Sequence, residues 1–194
     1  MQKTRLEAFS DAVIAIIMTI MVLELHPPEE ASWMGLSTIL PIFLSYVMSF
    51  VYLAIYWNNH HHMLHTADHV DGRVLWANMN LLFWLSLFPL CTSWMQESEF
   101  SSFSTALYGV VLLLAAVAFK ILQITIILHH GETSVLQRAV GKDRKGMLSM
   151  LAYLLSIPLS FVNAWIAIAL FVLVGFAWLV PDRRIEKALS HAHA

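Results

Sequence analysis

An all-α membrane protein that crosses the bilayer six times is the fold class this sequence predicts, on three observations. Of 194 residues, 59% are hydrophobic and only 12% are charged, about half the charged share of an average soluble domain. Mean hydropathy is +0.69, and at about 20 residues per crossing the length holds roughly six membrane helices and no sizeable soluble domain. The chain, residues 1–194, therefore reads as a single transmembrane domain. Third, lysines and arginines fall in alternate connections, as an even number of crossings requires. Composition also excludes classes. The single cysteine, Cys91, rules out an intrachain disulfide framework and a multi-cysteine metal site. A net charge of −2, with basic residues beside apolar runs, leaves no nucleic-acid footprint.

The first crossing is expected over about 6–25, with its uninterrupted apolar stretch limited to Ala12–Leu23, about 18 Å of helix. That is too short to face lipid by itself. Asp11 and Glu24 at its shoulders suit a helix surrounded by protein or water, near the centre of an assembly. Lys3 and Arg5 ahead of an apolar run imitate a secretory leader, but no small-x-small cleavage site follows, so the segment is expected to be retained. His26 to Glu30 makes a turn. The second crossing runs over about 36–60, with Pro41 expected to kink it and a polar exit from Asn58 to His62. The third, about 73–95, starts at Arg73, carries Asn78 and Asn80 and holds Pro89 near its far end; the fourth spans about 103–129. The fifth (about 146–163) and sixth (about 164–181) touch at Ser160 to Ala164.

Orientation follows from the basic residues. Lys3 and Arg5 precede the first crossing and Arg73 lies between the second and third. Arg138, Lys142, Arg144 and Lys145 lie between the fourth and fifth, and Arg183, Arg184 and Lys187 follow the sixth. The other connections hold Glu29, Glu30, Glu97 and Glu99 and no basic residue. Both termini are therefore expected in the cytoplasm. Lys120, inside the fourth crossing, is expected to be paired or to snorkel. Trp33, Trp94 and Trp165 at outer ends and Trp57 and Trp76 at inner ends suit interfacial belts, with Trp84 packing between helices. There is no convincing internal repeat.

On the first helix Ile16, Ile20 and Leu23 recur at i, i+4 and i+7 as one apolar stripe, with Thr19 on its flank. Four copies around an axis would stack rings of isoleucine and leucine that control passage by diameter and wetting, and Thr19 hydroxyls would replace part of an ion's hydration shell. Periodicity alone fits ordinary helix packing at least as well.

The start of that helix, Arg5-x-x-x-Phe9-Ser10-Asp11-Ala12, separates the two. It resembles the signature of the transmembrane protein 175 family of potassium channels, found in lysosomes and in prokaryotes, in which R-x-x-x-F-S-D opens the pore-lining helix. The resemblance extends to six crossings, to Trp57-Asn58-Asn59-His60-His61 at the exit of the second, and to Asn78 and Asn80 at the start of the third. Animal members carry two six-span units, so one unit matches the prokaryotic form. That form implies a homotetramer with the first helix lining a central pore, a prokaryotic plasma membrane location, permeating potassium and no cofactor. The resemblance implies the tightest constriction at Ile16 and further pore-facing positions at Thr19 and Leu23. No Thr-Val-Gly-Tyr-Gly stretch is present, so a carbonyl-ring filter is not expected.

Asp11 lies about 140° around the helix from Ile16, away from the stripe. It is expected to be structural, accepting hydrogen bonds from groups such as Trp57, His60 or His61 and Asn78, while Arg5 pairs with a neighbouring acid or carbonyl. In the resembling family this network joins the pore helix to the helices outside it. Glu24, about 40° from the Ile20 direction, reads either as a ring of charge gathering cations at the outer mouth or as interfacial solvation. His61 and His65, at i and i+4, have the spacing of a shared metal site, but oxygenases and desaturases need several histidine boxes, and His69, His129 and His130 do not form them. A hydrogen-bonding or pH-responsive role fits the histidines better, and His191 and His193 belong to a tail. The function expected is a potassium-selective channel and not an enzyme. The alternatives are a proton-permeable or weakly selective cation pore, a metal-dependent membrane oxidoreductase using His61, His65, His129 and His130, and an alternating-access carrier. Inverted repeats with broken helices, which a carrier would carry, are not evident.

Overall fold

The computed structural model describes residues 3–67, 69–130, 136–137 and 143–179. Arg138, Lys142, Arg183, Arg184, Lys187, His191 and His193 lie outside the described residues. Among those described the fold is all-helical, with α1 (Lys3–Leu23), α2 (Trp33–His65), α3 (Gly72–Ser86), α4 (Phe88–Glu97), α5 (Ser102–His130), α6 (Arg144–Val162) and α7 (Ala164–Leu179). Five segments are long and apolar enough to cross a membrane: α1, α2, α3 with α4 as one, α5 and α6; α7 is a sixth apolar helix of 16 residues.

Two helices depart from the expected spans. α2 continues through Pro41 and past the polar exit to His65, 33 residues in all. At 1.5 Å per residue that is about 50 Å, enough to carry its histidine-bearing last turns past a hydrocarbon core about 30 Å thick. The third crossing is broken at Leu87 into α3 and α4. Pro89 has no N–H to give the Leu85 carbonyl, so the ladder stops and restarts at Phe88. Serine and aspartate side chains start three helices: Ser32 accepts from Gly35 N at 3.1 Å, Asp71 from Val74 N at 2.9 Å and Asp143 from Gly146 N at 3.0 Å.

α5 is the hub, packing on α3, α4, α6 and α7. Gly109 permits this. A Cβ there would meet Ser156 Oγ at 2.9 Å and Phe171 Cζ at 3.3 Å, so α6 and α7 approach α5 closely. The core is rich in buried aromatic rings, with Tyr108 edge-on to Phe88 and tilted against Phe171, and Tyr52 edge-on to Tyr153. Their hydroxyls are satisfied inside the bundle: Tyr52 Oη donates to the Phe171 carbonyl at 2.6 Å, and Ser49 Oγ bonds both Tyr108 Oη and Thr92 Oγ1 at 2.8 Å. Burying them without partners would cost several kcal/mol each, on the order of 4–8 for transfer to an alkane-like medium.

Side-chain ties sort the helix ends into two groups. At one end Lys3 Nζ donates to the His65 carbonyl at 2.9 Å, His129 Nδ1 lies 3.4 Å from Asp71, and Trp178 Nε1 donates to Ser149 Oγ at 2.8 Å. At the other, the single proton of Ser93 Oγ lies between Glu24 at 3.3 Å and Glu97 at 3.4 Å. The start of α1 and the end of α7 thus belong to the same end of the bundle. Lys120 is paired there, donating to Asp143 Oδ2 at 2.8 Å and Gln123 Oε1 at 2.7 Å.

Candidate functional site

α1 lies against α2, α3 and α4 and shows two faces. Leu6, Ser10, Ile14, Ile17 and Met21, spaced by three or four, are buried against the neighbouring helices. Another arc is open: Ile16 is 57% exposed, Ile20 42% and Leu23 77%, with Phe9 at 48%. These side chains are apolar and belong to no core within one chain. Alongside them Ala8, Ala12, Ala15 and Thr19 form a second open stripe of small residues at i, i+4, i+7 and i+11. The sequence reading missed this strip, although its alanine spacing signals a surface that a second helix approaches closely.

Thr19 sits on the open face, and its hydroxyl donates to the Ile16 carbonyl at 2.8 Å. The proton is thereby turned inward, which leaves the oxygen lone pairs free toward whatever passes outside. A hollow of about 520 Å³ runs between the Ile16 and Ile20 flank of α1 and Pro89, Leu90 and Ser93 of α4. Glu24, just beyond the end of α1, is exposed at the end of this hollow, and Ser93 bridges it to Glu97. Glu97 was not singled out with Glu24 from the sequence, since nothing in the spacing links residues on separate helices.

The opposite end of α1 is pinned by two separate contacts. Asp11 Oδ1 accepts one hydrogen bond, from Trp57 Nε1 of α2 at 2.9 Å. Ser10 Oγ donates to the Leu6 carbonyl at 2.9 Å and accepts from Asn78 Nδ2 of α3 at 2.9 Å. Because Ser10's proton is already given to Leu6, the Asn78 amide must face it with its NH₂ group, and its carbonyl oxygen is left for His60 Nε2, 2.7 Å away. Ser10, Asn78 and His60 are all buried, so one side chain on α3 joins α1 to α2.

The expected single cluster around Asp11 is therefore two. Ser10 is in the middle of the buried stripe and meets α3, whereas Asp11, about 100° further round, meets α2; neither Asn78 nor a histidine reaches the Asp11 carboxylate. His60 is the histidine in the network. His61 instead lies over the Trp57 ring (centroids 6.1 Å apart) and stacks on His65 (6.2 Å, planes 17° apart). Arg5 was expected to pair with an acid or carbonyl. It is exposed on the open face of α1 and has no such partner among the described residues. Near-parallel His61 and His65 rings do not converge on one point, and among the described residues no group of three histidine, cysteine or acidic side chains is arranged to hold a metal.

Comparison with known proteins bears on this geometry. Residues 5–89 match the model of the family described as endosomal/lysosomal potassium channel TMEM175. The chain is 51% identical over 190 residues to a potassium channel of Chryseobacterium sp. (strain P1-3), covering 98% of this chain and 99% of that one. It is 30% identical over 176 residues to a potassium channel of Streptomyces collinus, covering 85% of each. Its fold matches the crystal structure of a lysosomal potassium-selective channel TMEM175 homolog from Chamaesiphon minutus. The TM-score there is 0.78 at 24% identity, over 93% of this chain and 97% of that one. These relatives are channels, not enzymes.

Proposed function

The chain belongs to the TMEM175 family, and from that premise we propose that it conducts potassium in preference to sodium through a central hydrophobic pore, formed where the α1 helices of four subunits meet. The observation that carries this reading is the two-faced α1: its inner stripe is packed, while Ile16, Ile20 and Leu23 stay 42–77% exposed. Exposed aliphatic side chains alone suit lipid, as on α2 and α6; α1 differs because its apolar stretch of about 18 Å, set between Asp11 and Glu24, is too short for a hydrocarbon core about 30 Å thick. The flanking Ala8, Ala12, Ala15 and Thr19 let a second α1 come close, and the hollow beside α4 gives that helix room.

In such an assembly Ile16 is the narrowest ring, Ile20 and Leu23 stack outward from it, and Thr19 lends oxygen lone pairs to a partly dehydrated cation. Glu24, with Glu97 nearby, gathers cations at one mouth. The Ser10–Asn78–His60 chain and the Asp11–Trp57 bond hold the other end of α1 to its own subunit, so ring diameter is transmitted from α2 and α3. Lysine and arginine counts support both termini being cytoplasmic, and the bacterial relatives support a prokaryotic plasma membrane. No cofactor is needed, because selectivity here is a matter of diameter and hydration.

The test is flux in liposomes holding potassium or sodium gradients, comparing wild type with Ile16→Asn. Wild type should pass potassium faster than sodium. A polar ring at position 16 wets the constriction, raises flux and narrows the difference between the ions. Comparable flux of both ions in wild type would replace this proposal with a weakly selective or proton-permeable pore, and absence of flux in both proteins would remove the channel reading.

A further inference from the structure

Away from α1, a second, partly open pocket lies between α2, α5, α6 and α7, with a volume of about 90 Å³. A closed cavity of about 150 Å³ takes a benzene ring, so a small ring or short chain enters this pocket only with part of it at the open side. The large side chains of its wall include Tyr52, Tyr56, Phe119, Met150, Tyr153 and Trp178. Ordered water is held by two to four polar partners, and such walls supply few. One end differs. There Lys120 gives two of its three N–H groups to Gln123 and Asp143, and Asp143 Oδ1 takes the Gly146 amide.

We propose that this cavity is a binding site for a small uncharged amphiphile, an apolar ring or short chain ending in a hydroxyl, with the hydroxyl seated at the Lys120–Asp143 pair. The head group follows from the charges. Lys120 has a third N–H to donate and the Asp143 carboxylate has lone pairs to accept, so one hydroxyl satisfies both partners at once. A carboxylate in the same place stands beside the like charge of Asp143, and an ammonium beside that of Lys120. Lys145, in the same first turn of α6, is turned onto the ring of Trp178 at 4.5 Å. The body follows from the walls, since aromatic side chains on several sides favour a flat apolar group. The site is separate from the proposed pore, and its occupancy does not depend on conduction.

Heavy-atom quenching of Trp178 reads the site directly in the purified full-length protein in nanodiscs. The probe is 4-bromobenzyl alcohol, with 4-bromobenzoate and 4-bromobenzylamine as charged heads on the same body. Saturable quenching by the alcohol is expected in wild type, and its absence in Trp178→Phe assigns the signal to this ring. Both charged probes should need about tenfold more for the same effect, given the cost of placing a charge beside its like in an apolar cavity. Filling the space with Ala116→Leu, in protein that keeps its helical circular dichroism and elution volume, should abolish the saturable part. The head-group comparison uses wild type alone and stands even where a filled variant does not fold. Linear, unsaturable quenching, equal potency of the three heads, or a signal that survives both Trp178→Phe and a folded Ala116→Leu protein overturns the proposal.

Discussion

Asn78→Ala removes both bonds that α3 makes to the helices on either side of it, and the geometry allows the loss to be sized. His60 Nε2 at 2.7 Å and Ser10 Oγ at 2.9 Å both lose their Asn78 partner in a region where all three residues are buried. Ser10 keeps its bond to the Leu6 carbonyl, so its loss is one acceptor contact. His60 has no such fallback in the network and becomes an orphaned buried donor, which costs about 1–3 kcal/mol in soluble proteins. Interhelical bonds in membrane proteins measure lower, about 0.6 kcal/mol on average and up to about 1.7, because the unfolded chain finds partners within the bilayer. Two such bonds set the expected loss at about 1–3 kcal/mol. Unfolding titrations in mixed micelles measure it, with Asn80→Ala as the control, since among the described residues Asn80 bonds within its own helix, accepting from Trp84 Nε1 at 3.2 Å. A loss below about 0.3 kcal/mol, beneath what one average bond supplies, or an equal loss in Asn80→Ala, refutes the claim that Asn78 fastens α1 to the bundle. The cycle with Ser10→Ala must also show non-additivity, because the two residues share one bond.

Gly109→Ala should destabilise by about 1–3 kcal/mol, the usual cost of overpacking, since its Cβ would sit 2.9 Å from Ser156 Oγ; the same titration reads it. Glu24→Gln should lower single-channel conductance at about 10 mM salt, where fields reach about 30 Å, and leave it unchanged at about 1 M, where they reach about 3 Å. An unchanged low-salt conductance returns Glu24 to plain interfacial solvation. Asp71 carries a pH dependence. The Val74 amide bonded to it, helped by the nearby His129, holds its carboxyl below the ordinary value of 3.8. The group binds protons less readily folded than unfolded, so its contribution is complete above the ordinary carboxylate range and is lost as pH falls through the lowered value. Stability profiles of Asp71→Ala should lack that part of the acid limb, and a profile parallel to wild type contradicts it.

Helix number and order were legible because the apolar runs are long and most breaks are chemically loud, as at His26-Pro27-Pro28; the boundary between the fifth and sixth crossings, which touch at Ser160 to Ala164, was the least marked. Leu87 was not. The interruption there comes from a missing N–H two residues later, and the apolar composition runs on through it unchanged. α2 was expected to end where its residues turn polar, yet Asn58 to His65 still wind as helix. Hydropathy reports the solvent around a segment, not whether its backbone remains coiled. At the site, the stripe of Ile16, Ile20 and Leu23 could be read from period, and Trp57, Ser10 and Asn78 from the resemblance. The division of the network into two could not, because it depends on how α1 is rotated against α2 and α3. That rotation is set by Leu6, Ile14, Ile17 and Met21 burying themselves together. The Lys120–Asp143 bond was visible only as an expensive lysine awaiting a partner.

The sidedness of α1 has a consequence for how such a protein changes over generations. Residues that stabilise the subunit and residues that would face the conduction axis occupy different arcs of one helix, meeting only along the hollow beside α4, where Ile17 adjoins Ile16 and Ile20. Substitutions at 16, 20 and 23 spare the buried stripe of Leu6, Ser10, Ile14, Ile17 and Met21, so ion preference can drift, or be redesigned by saturating those three positions, at less cost to the subunit's own packing. The inner arc has no such latitude, and libraries built there should return mostly misassembled protein.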